Sequence, residues 1–253
     1  IRRQRQMCIR DRHIKPVSQN TFNADEFRSI SHEAVKMCSI GRRKIGVFLS
    51  GGLDSSLVAY ELNKLKGEVN SFTNKMYPNV KADEDYNEDA VCASILANQN
   101  NFNHTEVPIT PENFIESWQD SIYYMEQPVY NPSMAMYCYT NKFLSSKDIV
   151  VTMAGDMGDE VLAGYPKYWK MKNPEWLRKQ IGKDKLSTWD DILKLWLKRI
   201  KRPLQLTDNP LNENILLEEF KKCYSGDLWN PNDPIGSYMA LDCVAQVPEE
   251  MFN

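Results

Sequence analysis

The stretch that decides the fold of this chain reads Ile45-Gly46-Val47-Phe48-Leu49-Ser50-Gly51-Gly52-Leu53-Asp54-Ser55-Ser56-Leu57-Val58. The apolar run 45–49 has the length and composition of a buried strand. Gly51 and Gly52 can adopt a positive φ and let a ligand approach the backbone closely. The serines and the aspartate around them are typical of a helix start. The stretch therefore predicts a strand, a glycine turn and a helix N-terminus, an arrangement suited to phosphate.

This loop differs from the two commonest phosphate loops. No Lys follows the glycines, as Walker A requires, and the third spaced glycine of the Rossmann fingerprint is absent. Asp54 adds a carboxylate, which suits a phosphate site if Mg²⁺ lies between them. The order Ser-Gly-Gly-Leu-Asp-Ser resembles the pyrophosphate loop (PP-loop) of the ATP-pyrophosphatase superfamily, whose members split ATP between the α and β phosphates. The alternative is an ordinary strand-turn-helix built of small residues.

Composition limits the class of protein. With 253 residues the chain can form one large domain or two small ones. A net charge of −3 does not indicate an extended nucleic-acid surface, and no apolar run approaches the ~18 residues of a membrane span. We expect a cytoplasmic protein with neither a nucleic-acid nor a membrane partner. The six cysteines include no Cys-x-x-Cys pair, which favours free thiols over a zinc site or a disulfide scaffold.

Strand and helix patterns alternate through the first two thirds of the chain. The strand patterns lie at residues 45–49, 69–73, 104–109 and 148–153. This alternation predicts an α/β fold with a parallel sheet, in which ligands bind at the carboxyl ends of the strands. From about residue 166 the pattern is helical. There the basic amphipathic stretch Trp189–Arg202 is expected to pack within the protein rather than on a membrane surface. The stripe Phe114, Ile115, Trp118 and Ile122 is expected in the core.

A second glycine-rich motif follows the last strand pattern and reads Ala154-Gly155-Asp156-Met157-Gly158-Asp159-Glu160-Val161-Leu162-Ala163-Gly164-Tyr165. Alone, its acids would more often be helix caps. Next to the first loop, Asp54 and Asp159 can face one phosphate site. Two carboxylates and phosphate oxygens form the all-oxygen ligand set that Mg²⁺ prefers.

Together the two motifs resemble the C-terminal synthetase domain of glutamine-hydrolysing (class B) asparagine synthetases. The first motif is complete. The second departs from the family pattern at Ala154, Met157, Leu162 and Ala163. The resemblance runs from about residue 22 to the end and implies a parallel-sheet, adenine-nucleotide alpha-hydrolase-like (PP-loop) domain with a helical C-terminal part.

The resemblance also implies a role for each motif residue. The pyrophosphate of ATP would bind to Ser50, Gly51, Gly52, Asp54, Ser55 and Ser56. Mg²⁺ would bind to Asp54 and Asp159. The nucleoside pocket would be lined by Leu49, Asn74, Ala154 and Gly155, with Asn74 where relatives usually carry Val or Ile. Asp156 would be the catalytic acidic residue tied to forming the acyl-adenylate.

The function implied is ATP-dependent amidation of aspartate to asparagine through β-aspartyl-AMP, with release of AMP and pyrophosphate. Ammonia would come from glutamine through a glutaminase domain, and a homodimer is compatible with the resemblance. Asn131 stands where some asparagine synthetases have an arginine near aspartate. Two alternatives therefore remain open. One is an amidotransferase or cyclase that adenylates a sugar acid or a peptide, and the other is a non-catalytic nucleotide-binding module.

Both ends of the chain look like cuts through a longer protein. Residues 1–12 are rich in arginine, whereas the rest favours lysine, so we expect residues 1–20 to be a non-native or disordered leader. Residues 21–253 would form the asparagine synthetase-like ATP-pyrophosphatase domain, with a truncated helical extension at about 166–253. The glutaminase domain and the extreme C-terminal segment of the family are expected to be missing.

Overall fold

The structure is a computed structural model that describes residues 22–77, 87–125, 131–204, 212–224 and 226–246. Its chain forms two compact units, one of residues Phe22–Asp156 and one that begins at Met157. The leader expected at residues 1–20 lies outside the described residues.

Helices and strands alternate along the first unit. Its elements are α1 (Ala24–Cys38), β1 (Lys44–Phe48), α2 (Leu53–Lys66), β2 (Asn70–Met76), α3 (Glu88–Gln99), β3 (Asn103–Ile109), α4 (Pro111–Met125), α5 (Ser133–Ser146) and β4 (Ile149–Met153). The strands form one parallel sheet in the order β3-β2-β1-β4. The predicted α/β fold with a parallel sheet is therefore confirmed.

The sheet of the first unit separates two apolar cores. Val47 of β1 packs with Ala59 of α2 and Ala93 of α3. The next residue, Phe48, packs against the cluster that contains Phe72 of β2 and Leu144 of α5. Because successive residues of a strand point to opposite faces, helices cover the sheet on both sides. Both faces of β1 are therefore buried, as its uninterrupted apolar sequence predicts.

Helix α4 departs from the sequence prediction. Half of the stripe expected in the core lies outside it: Phe114 packs against the core, whereas Ile115 is 64% exposed and Ile122 is 41% exposed. The buried residues are instead Ser117 and Ser121. Two small residues four apart lie on one helix face and allow close packing on α5. The prediction was wrong for Ile115 and Ile122 because periodicity identifies an apolar face but not the face that meets a partner.

The second unit is built from helices in its described part. They are α6 (Gly158–Leu162), α7 (Pro166–Lys170), α8 (Pro174–Ile181), α9 (Trp189–Leu204), α10 (Glu213–Cys223) and α11 (Pro234–Leu241), with a 3₁₀ turn at Gly226–Leu228 and a π-helical turn at Asp242–Gln246. Helix α9 buries Ile192, Leu193 and Trp196 in the core of this unit. Its apolar side therefore packs within the protein, as expected.

A buried carboxylate lies in the middle of this helical core. Asp242 has no exposed surface, and it accepts hydrogen bonds from the Tyr168 hydroxyl at 2.8 Å and from the Trp196 indole N–H at 2.9 Å. Lys167 Nζ lies 2.6 Å from the same carboxylate. Three donors compensate the cost of removing this charge from water, and they tie α7 and α9 to the end of α11.

None of the helices that the structure describes combines the length and the apolar character needed to cross a membrane.

Candidate functional site

The loop between β1 and α2 is held in shape by its own serines. Ser50 Oγ and Ser55 Oγ lie 3.1 Å apart, and the Ser56 hydroxyl donates to the Gly52 carbonyl at 2.6 Å. Helix α2 begins after Gly52 with no side-chain hydrogen bond at its cap. Because the first N–H groups of a helix lack partners within the helix, this end offers donors and a positive dipole to an anion. This end of α2 is therefore a place where an anion can bind, and phosphate binding here stays a prediction.

The loop after β4 lies directly against this phosphate loop. A Cβ atom on Gly155 would lie only 2.5 Å from the Ser55 nitrogen and 2.8 Å from the Asp54 Cβ. Strands β1 and β4 pair in parallel, so both loops leave the same edge of the sheet. The structure thus brings Asp54, Ser55 and Gly155 together, and only glycine fits at position 155.

Asp156 follows Gly155 at the same edge. Loss of solvent around its carboxyl group raises the pKa of Asp156 above its ordinary range. The pKa of Tyr137 on α5 is also raised, chiefly by burial and further by the negative charge of Asp156. The Tyr137 ring packs edge-on against Phe48 at a centroid distance of 5.7 Å. Sequence reasoning missed Tyr137, since nothing in the α5 pattern indicated which of its aromatic residues would face the sheet edge.

The expected nucleoside residues lie on neighbouring strand ends. Leu49 is 1% exposed and its N–H donates to the Phe72 carbonyl at 2.8 Å, so its side chain belongs to the core. Asn74 is half-buried near the carboxyl end of β2, and its side-chain oxygen accepts a hydrogen bond from Thr140 of α5 at 2.6 Å. Ala154 is half-buried directly after β4. Sequence reasoning also missed Thr140.

The second motif continues into the second unit, where α6 carries Asp159. The Gly164 N–H donates to the Asp159 carbonyl at 3.0 Å, and a Cβ atom on Gly164 would force the Asp159 carboxylate to move. The neighbouring Glu160 is 5% exposed, and burial raises its pKa. Glu160 lines a cavity of about 510 Å³ together with Trp169 and Lys172.

The two expected Mg²⁺ ligands have suitable chemistry. Asp54 and Asp159 are both half-buried carboxylates, and carboxylate oxygen is a ligand that Mg²⁺ takes in proteins. Among the described ranges there is no group of three or more His, Cys, Asp or Glu side chains placed to hold a metal ion. Mg²⁺ usually keeps waters and phosphate oxygens as its other ligands, so one or two carboxylates are the expected protein contribution.

A parallel sheet whose first strand ends in Ser-Gly-Gly-Leu-Asp-Ser-Ser defines a nucleotide domain of the PP-loop class. Comparison with known families gives the more specific result. The family model for asparagine synthase matches residues 26–238, and the chain belongs to this family.

Similar proteins carry the name asparagine synthetase [glutamine-hydrolyzing]. The chain is 31% identical over 153 residues to the protein of Gallus gallus, which is 58% of this chain and 27% of that protein. It is 31% identical over 155 residues to the protein of Rattus norvegicus. It is 30% identical over 156 residues to the protein of Homo sapiens. Both matches cover 60% of this chain and 27% of the relative. The chain thus spans about a quarter of the length of the curated relatives it matches.

Proposed function

We propose that this domain binds MgATP on the loop Ser50–Ser56 and transfers AMP to a carboxylate substrate. The observation that supports this most directly is the close approach of Gly155 to Ser55, because it places the first residues of the second motif against the uncapped start of α2. In this proposal the pyrophosphate lies on the loop, and Mg²⁺ lies on Asp54 and Asp159. The nucleoside lies against Asn74, Ala154 and Gly155 and against the backbone of Leu49, whose side chain belongs to the core.

The substrate that family membership favours is aspartate. Its side-chain carboxylate would attack the α-phosphorus of ATP, forming the acyl-adenylate bond as the bond to pyrophosphate breaks. Ammonia would then attack the acyl carbon of β-aspartyl-AMP, giving asparagine and AMP. Charge builds on the departing pyrophosphate, and the N–H groups at the start of α2 and Mg²⁺ would stabilise it.

Asp156 is the proposed acidic residue beside the reacting carboxylate. Asp156 is exposed to solvent, and partial loss of water around its carboxyl group raises its pKa above the ordinary range. Ammonia would come from glutamine through a glutaminase domain, as the names of the relatives suggest for those proteins.

Two other functions keep the same nucleotide site. In the first, a sugar acid or a peptide carboxylate replaces aspartate, which the presence of Asn131 at the position of an arginine in some relatives would allow. In the second, the domain binds the nucleotide without catalysis. The retention of Asp54, Asp156 and Asp159 favours catalysis, because nucleotide binding alone does not need all three carboxylates.

The test is pyrophosphate release from MgATP in the presence of ammonium and a panel of carboxylic acids that includes aspartate. The protein would be compared with Asp54→Asn and with the matched surface variant Asp25→Asn, whose carboxylate lies on exposed α1. We expect aspartate-dependent release of pyrophosphate and formation of asparagine, a loss of about a hundredfold in Asp54→Asn, and no change in Asp25→Asn.

Each other outcome identifies a different function. Pyrophosphate release with another acid but not with aspartate would identify an enzyme that adenylates a sugar acid or a peptide. ATP binding without pyrophosphate release with any acid would identify a binding module.

A further inference from the structure

A polar side chain occupies an unusual place in the sheet. Asn is depleted in strands, yet Asn74 lies near the carboxyl end of β2, in register with Val107 of β3. It is half-buried, and an amide group removed from water costs free energy unless it is hydrogen-bonded. Such a residue therefore needs either a protein partner or a ligand for each end of its amide.

Thr140 provides the partner for one end. Its side chain is fully buried on α5, and its hydroxyl lies 2.6 Å from Asn74 Oδ1. This distance is typical of O–H···O bonds and shorter than the usual N–H···O distance of about 2.9 Å. The amide is therefore oriented with its oxygen toward Thr140 and its nitrogen away from it.

The other end of the amide remains available. Among the residues that the structure describes, Asn74 Nδ2 donates no hydrogen bond, so its two N–H groups can serve a ligand. Because Thr140 holds the oxygen, the direction of these donors is set before a ligand arrives. A donor oriented in advance loses less conformational entropy on binding.

The topology of the sheet places this donor at the same edge as the phosphate loop. Phe48 of β1 pairs with Phe72 of β2, and Leu49 N–H donates to the Phe72 carbonyl. Strand β1 ends at Phe48 whereas β2 continues to Met76, so Asn74 lies beyond the last paired residues, at the edge of the sheet where the loop Ser50–Ser56 begins. Ligands of parallel α/β sheets bind along this carboxyl edge. A nucleotide with its phosphates on the loop would thus bring its sugar and base past Asn74.

We propose that Asn74, held by Thr140, donates a hydrogen bond to a ring nitrogen of the ATP base and so contributes to base selectivity. This inference rests on the proposed function, because it requires ATP on the Ser50–Ser56 loop. The ring nitrogens N1, N3 and N7 of adenine are all acceptors that a side-chain amide N–H can serve. An apolar residue at the same position could contact the base but could not select among these atoms.

The experiment pairs protein variants with nucleotide analogues that each lack one ring nitrogen. Binding of ATP, 1-deaza-ATP, 3-deaza-ATP and 7-deaza-ATP with Mg²⁺ would be measured by calorimetry for the unchanged protein and for Asn74→Leu, which keeps the side-chain shape. We expect the unchanged protein to bind one analogue about three- to tenfold more weakly than ATP. Asn74→Leu should bind ATP more weakly by a similar factor and should no longer distinguish that analogue from ATP.

A second pair of variants keeps Asn74 in place. Thr140→Val removes the hydroxyl that holds the amide and should reduce the discrimination, whereas Thr140→Ser should retain it. This pair tests the inference even if Asn74→Leu fails to fold.

The results that would contradict this inference differ from those that would contradict the proposed function. Equal discrimination in the unchanged protein and in Asn74→Leu, or in the unchanged protein and in Thr140→Val, would overturn the inference while leaving ATP binding intact. Absence of any ATP binding by the unchanged protein would overturn the inference and the proposed function together.

Discussion

Gly51 of the phosphate loop lies directly against Cys92 of α3. A Cβ atom on Gly51 would lie 2.5 Å from the Cys92 Cβ and 2.8 Å from the Ala93 nitrogen. Gly51 also has a φ of +78°, which side chains rarely adopt. Two independent constraints therefore require glycine here, and the shape of the loop depends on how closely α3 packs against it.

Replacing Gly51 by alanine should damage both stability and nucleotide binding. Gly67→Ala is the matched control, because Gly67 has a similar φ of +73° but no atom within 4 Å of an added Cβ. We expect Gly67→Ala to lose about 1 kcal/mol in the free energy of unfolding, with unchanged ATP affinity. Gly51→Ala should lose a further ~1–3 kcal/mol from overpacking and should bind ATP more weakly. Urea unfolding and calorimetry measure the two effects, and equal ATP affinity in both variants would contradict the expectation.

Alkylation of Cys92 should block ATP binding. The thiol is exposed, and a maleimide on it would place new bulk beside Gly51. We expect N-ethylmaleimide to lower ATP affinity in the unchanged protein. Cys38→Ser is the control: it removes another exposed thiol, on α1, and keeps Cys92, so its ATP affinity should fall in the same way. Cys92→Ser should be protected, and bound MgATP should slow the modification of Cys92 as followed by mass spectrometry. Continued sensitivity of Cys92→Ser would assign the effect to another thiol.

Removing the carboxylate of Asp242 should strongly destabilise the second unit. Asp242→Ala leaves Lys167 and the Tyr168 hydroxyl without their buried partner. Loss of one member of a buried charged pair costs about 3–5 kcal/mol in the free energy of unfolding. Trp196→Phe removes a single donor to the same carboxylate and should cost about 1–2 kcal/mol. Denaturant unfolding followed by circular dichroism compares the two, and a smaller loss in Asp242→Ala than in Trp196→Phe would refute this account.

His104 should make the stability of the first unit depend on pH. Its Nδ1 lies 2.9 Å from Ser71 Oγ, and within the described residues its buried Nε2 has no hydrogen-bond partner. Burial lowers the pKa of His104 below its usual 6.5, although the charge of Glu106 partly opposes this shift. The unfolded chain therefore binds a proton more readily than the folded one. The contribution of His104 to the free energy of unfolding is complete above pH 6.5 and is lost as the pH falls through 6.5 towards the lower folded pKa.

Urea unfolding at pH 8 and pH 5.5 tests the role of His104, with His104→Gln as the comparison. The unchanged protein should lose more stability between these two pH values than the variant does, because glutamine does not titrate. Equal losses would show that other groups cause the pH dependence.

The local sequence was sufficient to predict an element of the fold where its pattern is compatible with one structure. The run 45–49 could be buried on both faces only as a strand of a covered sheet, and β1 has this role. Gly67 ends α2 with a left-handed φ, a helix end that a glycine in the sequence indicates directly. The helical pattern failed at α4, where Ser117 and Ser121 rather than Ile115 and Ile122 face the protein.

The sequence by itself determined the alternation of strands and helices, the glycine turn between β1 and α2, and the family, because hydrophobic periodicity and glycine chemistry act over a few neighbouring residues. Only the tertiary structure decided which distant residues meet: Gly155 against Ser55, Gly51 against Cys92, and Thr140 on Asn74. These contacts follow from the order of the strands and from which helix face is buried. Both are settled by the packing of the whole unit, and a sequence window contains no information on the residue that will occupy the space opposite a glycine.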